Sequence, residues 1–160
     1  DVGFNYRFGS SKYQYNDLES TDAEYYFLLE QHVILTDPHW LLSAVGFMSS
    51  PDSHASAIAP MVRRGTNYLT NFWGDLCKDG NYVRSPDYCQ IMRRDVRGLF
   101  NVPYASGALL IRRETLLDLG LESKSSSDPD MDLCEALRKN FYFIYVDNRG
   151  VYGSYVGKRF

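Results

Sequence analysis

Three histidines, three cysteines and a few well-placed carboxylates and aromatic rings carry whatever chemistry this sequence can do. The histidines are His32, His39 and His54, and the residues two places after them are Ile34, Leu41 and Ser56. The sequence therefore holds no His-x-Asp pair, the start of a facial triad for Fe(II). Cys77, Cys89 and Cys134 include no Cys-x-x-Cys pair for zinc or redox work. Cys77 and Cys89 enclose a short loop and could pair in an oxidising compartment, leaving Cys134 free; the sequence leaves this open. No Gly-x-Ser-x-Gly, phosphate-binding loop or His-Glu-x-x-His occurs.

Asp130 follows Asp128-Pro129, an arrangement that suits a helix start, with Asp128 as cap and Pro129 in the first position. A carboxylate there is favoured by the helix dipole, which accounts for Asp130 structurally. Trp73, beside Asn71 and Gly74, could stack its face on a sugar or a proline-rich chain, or could anchor its loop into the core. Arg63, Arg64, Arg93, Arg94 and Arg97 are scattered arginines of the kind that face solvent.

The elements that must position these residues alternate. Tyr25-Tyr26-Phe27-Leu28-Leu29 reads as a buried strand, and the apolar run resumes at Val33-Ile34-Leu35. Asp37 is expected to cap a helix from Pro38 through Val45, followed by a loop over residues 49–53. Residues 57–62, 99–104, 107–111 and 141–146 are strand candidates, and 63–88 suggest hairpins and loops around Gly65, Gly74 and Gly80. Short helices are expected over 88–93 and over 113–119, the latter stopped by Gly120. Residues 130–140 are amphipathic, with Met131, Leu133, Cys134 and Leu137 on one side. Residues 1–24 read as an irregular segment and 150–160 as a tail without a strong pattern.

A chain of 160 residues is long enough for one domain with a real core. Its net charge of −3 comes without a block of one sign, which argues against a nucleic-acid or anionic-membrane surface. No apolar run reaches the roughly 20 residues of a membrane span. The start shows no charged segment followed by an apolar one, so a secretory parent would make this chain a fragment or a mature piece. Thirteen tyrosines are many, and most are expected in an aromatic-rich core.

Four stretches in order carry a resemblance. They are the run from Tyr25 to Pro38; Asn71-Phe72-Trp73-Gly74 with Tyr82-Val83-Arg84-Ser85-Pro86-Asp87-Tyr88; Asn101-Val102-Pro103-Tyr104; and Asp128-Pro129-Asp130-Met131 with Tyr145-Val146-Asp147-Asn148-Arg149. Together they are similar to the procollagen-lysine 2-oxoglutarate 5-dioxygenases, and look like the central accessory glycosyltransferase-like domain of that family, from about Tyr25 to Arg149. The resemblance implies an α/β fold, an incomplete GT-A-like (Rossmann-like) mixed sheet flanked by helices, over residues 25–149. Its front half, which would hold a uridine, has no counterpart in residues 1–24, so an open strand edge is expected.

In such transferases an Asp-x-Asp pair and a later His hold a divalent metal against a nucleotide sugar. The resemblance puts Glu30 and His32 at the Asp-x-Asp positions and Gly150 where the His after Asn-Arg would stand. A carboxylate and an imidazole with no third ligand make a poor cage for Mg²⁺ or Mn²⁺. Asp130 lies near the place of a general base by the same resemblance. The reading is a non-catalytic accessory domain of a collagen-modifying enzyme of the rough endoplasmic reticulum lumen, with neighbouring domains and procollagen as partners and no cofactor of its own. Fe(II), 2-oxoglutarate and ascorbate would belong to the hydroxylase domain of the parent. The alternative is a residual Mn²⁺-dependent UDP-sugar transferase acting on hydroxylysine of collagen.

Overall fold

The computed structural model describes residues 23–63, 70–73, 75–76, 82–83, 86–120 and 129–156. In chain order the first elements are β1 (Tyr25–Leu29), β2 (Val33–Leu35), α1 (Trp40–Ser49), β3 (Ala55–Pro60) and β4 (Val62–Arg63). There follow β5 (Phe72–Trp73), β6 (Asp75–Leu76), β7 (Tyr82–Val83) and α2 (Pro86–Arg93). The remainder are β8 (Leu99–Asn101), β9 (Tyr104–Ala105), β10 (Ala108–Arg112), α3 (Arg113–Leu119), α4 (Pro129–Lys139), β11 (Phe143–Asp147) and β12 (Gly153–Tyr155).

A five-stranded sheet of order β1-β10-β3-β11-β8 forms the centre. β3 and β11 are parallel, whereas β1–β10, β10–β3 and β11–β8 are antiparallel. β1, β3 and β11 therefore point the same way. Among the described residues β1 pairs only with β10, so it is an edge strand. β3 is buried along its whole length, and its alanines let helices approach both faces. The register shifts between Phe143 and Ile144, which places Ser56 in a bulge and turns both Ala55 and Ile58 toward α1.

On one face, Trp40, Ala44 and Met48 of α1 pack at four-residue spacing on Ala55, Ile58 and Leu110. The guanidinium of Arg112 donates to the Met48 carbonyl and so satisfies the C-terminal end of α1. On the other face, Met92, Leu116, Leu133, Cys134 and Leu137 from α2, α3 and α4 meet Ala57, Ala59, Leu109, Ile111, Ile144 and Val146.

The helix after Asp37 starts at Trp40, two residues later than the sequence suggests, and runs on to Ser49. The reason is local. The Asp37 carboxylate accepts the His39 N–H at 3.0 Å, a turn for which Pro38 is suited and which delays the helix. α3 ends as expected, with Gly120 left-handed at φ 56°. α4 shows the expected apolar side, Leu133, Cys134 and Leu137 being buried. Neither Cys89 nor Cys134 forms a disulfide among the described residues, the buried Cys134 thiol donating to the Ala105 carbonyl, and Cys77 lies outside the described residues.

No pattern in the sequence announces β12, yet it is the middle strand of a second sheet, β2-β12-β4. A Cβ added at Gly153 would sit 2.8 Å from the Ile34 carbonyl oxygen, so this strand needs glycine for close approach rather than for flexibility.

α2 and α4 end in the same way, without glycine. Arg94 (φ 62°) and Phe141 (φ 61°) occupy the left-handed position that follows each helix. Their N–H groups donate to the Ile91 and Arg138 carbonyls, and the next residues, Asp95 and Tyr142, donate to Gln90 and Leu137. Phe141 gains little burial there, because it is 88% exposed. Phe141→Gly is therefore expected to raise stability by about 0.5–1 kcal/mol, since glycine removes the left-handed penalty at a site without packing to lose. Thermal unfolding of the two proteins checks this; a lower midpoint in the variant would show that the exposed ring has a stabilising contact.

Candidate functional site

Because β1, β3 and β11 run in one direction, their carboxyl ends lie along one edge of the sheet. Each leads into a strand of the second sheet: β1 into β2, β3 into β4, and β11 into β12. In α/β proteins this edge is where loops gather and ligands bind.

Glu30 and His32 sit in the tight turn between β1 and β2. The Glu30 carbonyl accepts the Val33 N–H at 3.0 Å, and the Glu30 N–H donates to Gly107 at 2.8 Å. The His32 ring lies 3.0 Å from the side-chain amide of its neighbour Gln31. Among the described residues, no three His, Cys, Asp or Glu side chains gather as a metal-holding group.

Asn71 is fully buried. Its amide donates to the carbonyls of Pro60 (2.9 Å) and Ser106 (3.1 Å), and its side-chain oxygen accepts the Val62 N–H (2.8 Å). Both amide protons are thus spent on backbone. The structure gives Asn71 the task of tying the β3–β4 junction to the turn at Ser106-Gly107, the same turn that Glu30 grips. In that turn the Ala108 N–H bonds back to Ser106, with Gly107 at φ 77°. Trp73 pairs with Tyr104 through its backbone in β5–β9, and its side chain lies outside the described structure. Asp130 occupies the second position of α4, after Pro129 as expected; its side chain, and all of Asp128, also lie outside the described structure.

A different cluster stands out at the end of β11. Asp147 is 1% exposed. One of its carboxylate oxygens accepts the Trp40 indole N–H at 3.2 Å and an Arg149 guanidinium N–H at 3.0 Å. The other accepts the Arg149 backbone N–H at 3.0 Å, the Arg149 Nε–H at 3.1 Å and, more loosely, the Tyr152 hydroxyl at 3.5 Å. The hydrogen-bonded carboxylate raises the Arg149 pKa, so the guanidinium stays charged. Burial, and then the Asp147 charge, raise the Tyr152 phenol above its ordinary value. A raised phenol pKa means that the folded state holds this proton more tightly. Its contribution to stability is present below the ordinary tyrosine range and is lost as pH rises through the folded value. The ultraviolet difference titration between the parent and Tyr152→Phe should place this phenol later than a free tyrosine, and an ordinary midpoint would contradict the cluster.

Next to Asp147, Asn148 is fully buried and acts as a staple. Its amide donates to Ile91 (2.8 Å) and Val96 (2.7 Å), while its oxygen accepts the Gly98 N–H (2.8 Å). The strained Arg94 completes the clamp, donating to the carbonyls of Asn148 (3.0 Å) and Arg149 (2.7 Å). The Asp147-Asn148-Arg149 segment is thereby fixed from below by the end of α2 and from the side by α1.

Above this segment lies a recess of about 450 Å³. His39, Ser43 and Phe47 line it from one side of α1, with Trp40 and Asp37 at its helix start, and Asp147, Arg149 and Tyr152 complete the wall. Glu30 and His32 do not line it. Sequence reading singled out the 145–149 stretch and Asp37 separately; their meeting, with Trp40 and Asp147 separated by 107 positions, is visible only in the fold.

The mixed sheet flanked by helices, with its site edge at the carboxyl ends, is that of a glycosyltransferase GT-A-like domain, and residues 12–132 match the glycosyltransferase family 25, N-terminal domain. The chain belongs to that family. More particularly, it is 35% identical over 139 residues to the multifunctional procollagen lysine hydroxylase and glycosyltransferase of Rattus norvegicus, covering 84% of this chain. It is 36% identical over 135 residues to procollagen-lysine,2-oxoglutarate 5-dioxygenase 2 of Homo sapiens, covering 82%. An uncharacterized protein of Acanthamoeba polyphaga mimivirus is 40% identical over 153 residues, 95% of this chain. The chain spans 18% of the length of the two animal enzymes and 33% of the viral protein.

Proposed function

We propose that this chain is a non-catalytic, glycosyltransferase-like accessory module of a collagen-modifying procollagen lysyl hydroxylase, which scaffolds neighbouring domains and helps to hold procollagen in the lumen of the rough endoplasmic reticulum. The observation that carries this reading is the direction taken by the Asp147-Asn148-Arg149 side chains. Asn148 points into the fold as a staple, and Arg149 is forked onto Asp147. The next residue is Gly150, which offers no side chain to a metal. Glu30 and His32 supply one carboxylate and one imidazole, and this donor set does not fit a resident Mn²⁺. In this reading the chain needs no cofactor; Fe(II), 2-oxoglutarate and ascorbate serve a different domain of the parent.

The second reading, a residual Mn²⁺-dependent UDP-sugar transferase acting on hydroxylysine of collagen, draws on one observation. Glu30 and His32 share a single turn at the carboxyl end of β1. Asp130 would serve as its base. Incubation with UDP-[14C]galactose, Mn²⁺ and a hydroxylysine-bearing collagen peptide separates the two. The module reading expects no label on the peptide, together with retention of the chain on an immobilised triple-helical peptide. Label that disappears in Glu30→Ala would overturn it.

A further inference from the structure

We propose that a recess at the opposite edge of the sheet, between the start of β3 and α3, binds a primary alkylammonium group, as carried by a lysine side chain or a free diamine. This goes beyond the accessory-module reading and does not depend on it. The recess, of about 470 Å³, opens where the amino ends of β3 and β11 meet the carboxyl end of β10 and the start of α3. Ser56, Arg112, Glu114, Thr115, Asp118 and Tyr142 supply most of its polar wall, and His54 stands exposed at the rim. It shares no residue with the recess at Asp147.

Two buried hydroxyls in this wall have no protein partner. Thr115 is 4% exposed and Ser56 9%, yet neither side chain makes a hydrogen bond among the described residues. The register shift between Phe143 and Ile144 leaves Ser56 outside the β3–β11 pairing. Neither hydroxyl oxygen is among the fully enclosed unpaired atoms, so the small surface that each residue keeps opens on the recess. An unbonded hydroxyl at a buried position is unfavourable, and a donor on a ligand would offset that cost.

Charge decides the class. Glu114 and Asp118 stand four residues apart on α3, hence on one side of it, and neither forms an ion pair among the described residues. Asp118 accepts the Tyr142 hydroxyl, which leaves the phenol oxygen free to accept a second donor. That bond, then burial, then the charges of Asp118 and Glu114 raise the Tyr142 phenol, so both carboxylates act on one spot. The guanidinium of the wall is turned elsewhere: Arg112 donates to the Met48 carbonyl and lies 5.7 Å from the Tyr25 ring centre. Acceptors and negative charge thus face the recess in excess, which favours a cation. No three His, Cys, Asp or Glu side chains gather as a metal-holding group among the described residues, so a bare divalent ion fits poorly. The acceptors come from β3, α3 and Tyr142, which suits the three diverging N–H bonds of an ammonium better than the planar fork of a guanidinium. The half-buried Tyr142 ring offers apolar surface to the alkyl stem.

The test is ¹H–¹⁵N NMR on the full chain, following the backbone N–H signals of Ser56 and Thr115. Nα-acetyl-lysine methylamide, cadaverine, and the norleucine and arginine counterparts of the lysine derivative are titrated separately at about pH 8, where histidine is ordinarily neutral and an alkylammonium still charged. Saturable shifts with the lysine derivative, with cadaverine or with both are expected, and none with norleucine, which lacks the ammonium. A response to the lysine derivative alone assigns the site to a peptide side chain, and one to cadaverine alone to a free diamine. Affinity should fall about tenfold in Glu114→Gln, at an exposed position, and about threefold or more in Thr115→Val, which keeps the branched shape and removes the hydroxyl. Thr115→Val should also unfold at the parent's temperature or above, since its hydroxyl has no protein partner to lose. No shift with either amine overturns the proposal. So do an equal response to the norleucine derivative, a stronger one to the arginine derivative, binding that both variants leave intact, or a clearly lower unfolding temperature in Thr115→Val.

Discussion

Asn148→Ala is expected to destabilise the chain by about 3–5 kcal/mol, lowering the unfolding midpoint by about 10 °C. The estimate follows from what the side chain leaves behind. The Gly98 N–H and the carbonyls of Ile91 and Val96 lose their partner at a fully buried position, and each orphaned group costs about 1–3 kcal/mol. Asn148→Asp keeps the acceptor for Gly98 but turns a carboxylate oxygen toward two carbonyls, so it should be at least as damaging. Denaturant unfolding of the three proteins tests the ranking. A loss below about 1 kcal/mol in the alanine variant would mean that water replaces the staple.

Asp147→Ala is expected to cost about 2–3 kcal/mol, mostly through the Trp40 indole. Trp40 is buried, and its N–H has Asp147 as acceptor, whereas Arg149 is half exposed and regains water when freed. Arg149→Ala removes the other half of the fork and leaves a buried carboxylate with the indole, a backbone N–H and the Tyr152 hydroxyl. A double-mutant cycle on Asp147 and Arg149 should give a coupling of about 1–2 kcal/mol, above that of an ordinary surface pair because one partner is fully buried. Coupling near zero would show that the fork adds nothing beyond the indole bond.

Local signals in the sequence reach a good part of this fold. The glycine stop of α3 and the apolar side of α4 are patterns within a few residues, and the structure bears them out. The aromatic run of β1 does form a strand, but a half-buried one at the edge of the described sheet with Leu29 exposed, not the buried strand its apolar run suggests. Burial depends on neighbours that a local run does not specify. The start of α1 was blurred because Asp37-Pro38 serves equally as a helix start or as a preceding turn, and the Asp37–His39 bond decides for the turn. β12 was hidden because Gly153-Ser154-Tyr155 has no apolar alternation; it is a strand because β2 and β4 flank it. The same distinction runs through the site. Asn71, beside Trp73, is a binding candidate by sequence, yet its amide is consumed by the backbone at Pro60, Val62 and Ser106. The structural task of Asn148, bonded to Ile91, Val96 and Gly98, depends on partners 50 to 57 positions away that no local pattern shows. The left-handed Arg94 and Phe141 carry no glycine to announce them. The resemblance, by contrast, named the family from residues that the fold spreads over several elements.

The most direct test of the accessory-module account is calorimetric titration of the chain, shown to be folded by circular dichroism, with UDP-glucose and UDP-galactose in the presence and absence of Mn²⁺. The account predicts no manganese-dependent heat with either nucleotide sugar. Manganese-dependent binding that is abolished by Glu30→Ala or His32→Ala would contradict it, and would make the turn after β1 a working metal site.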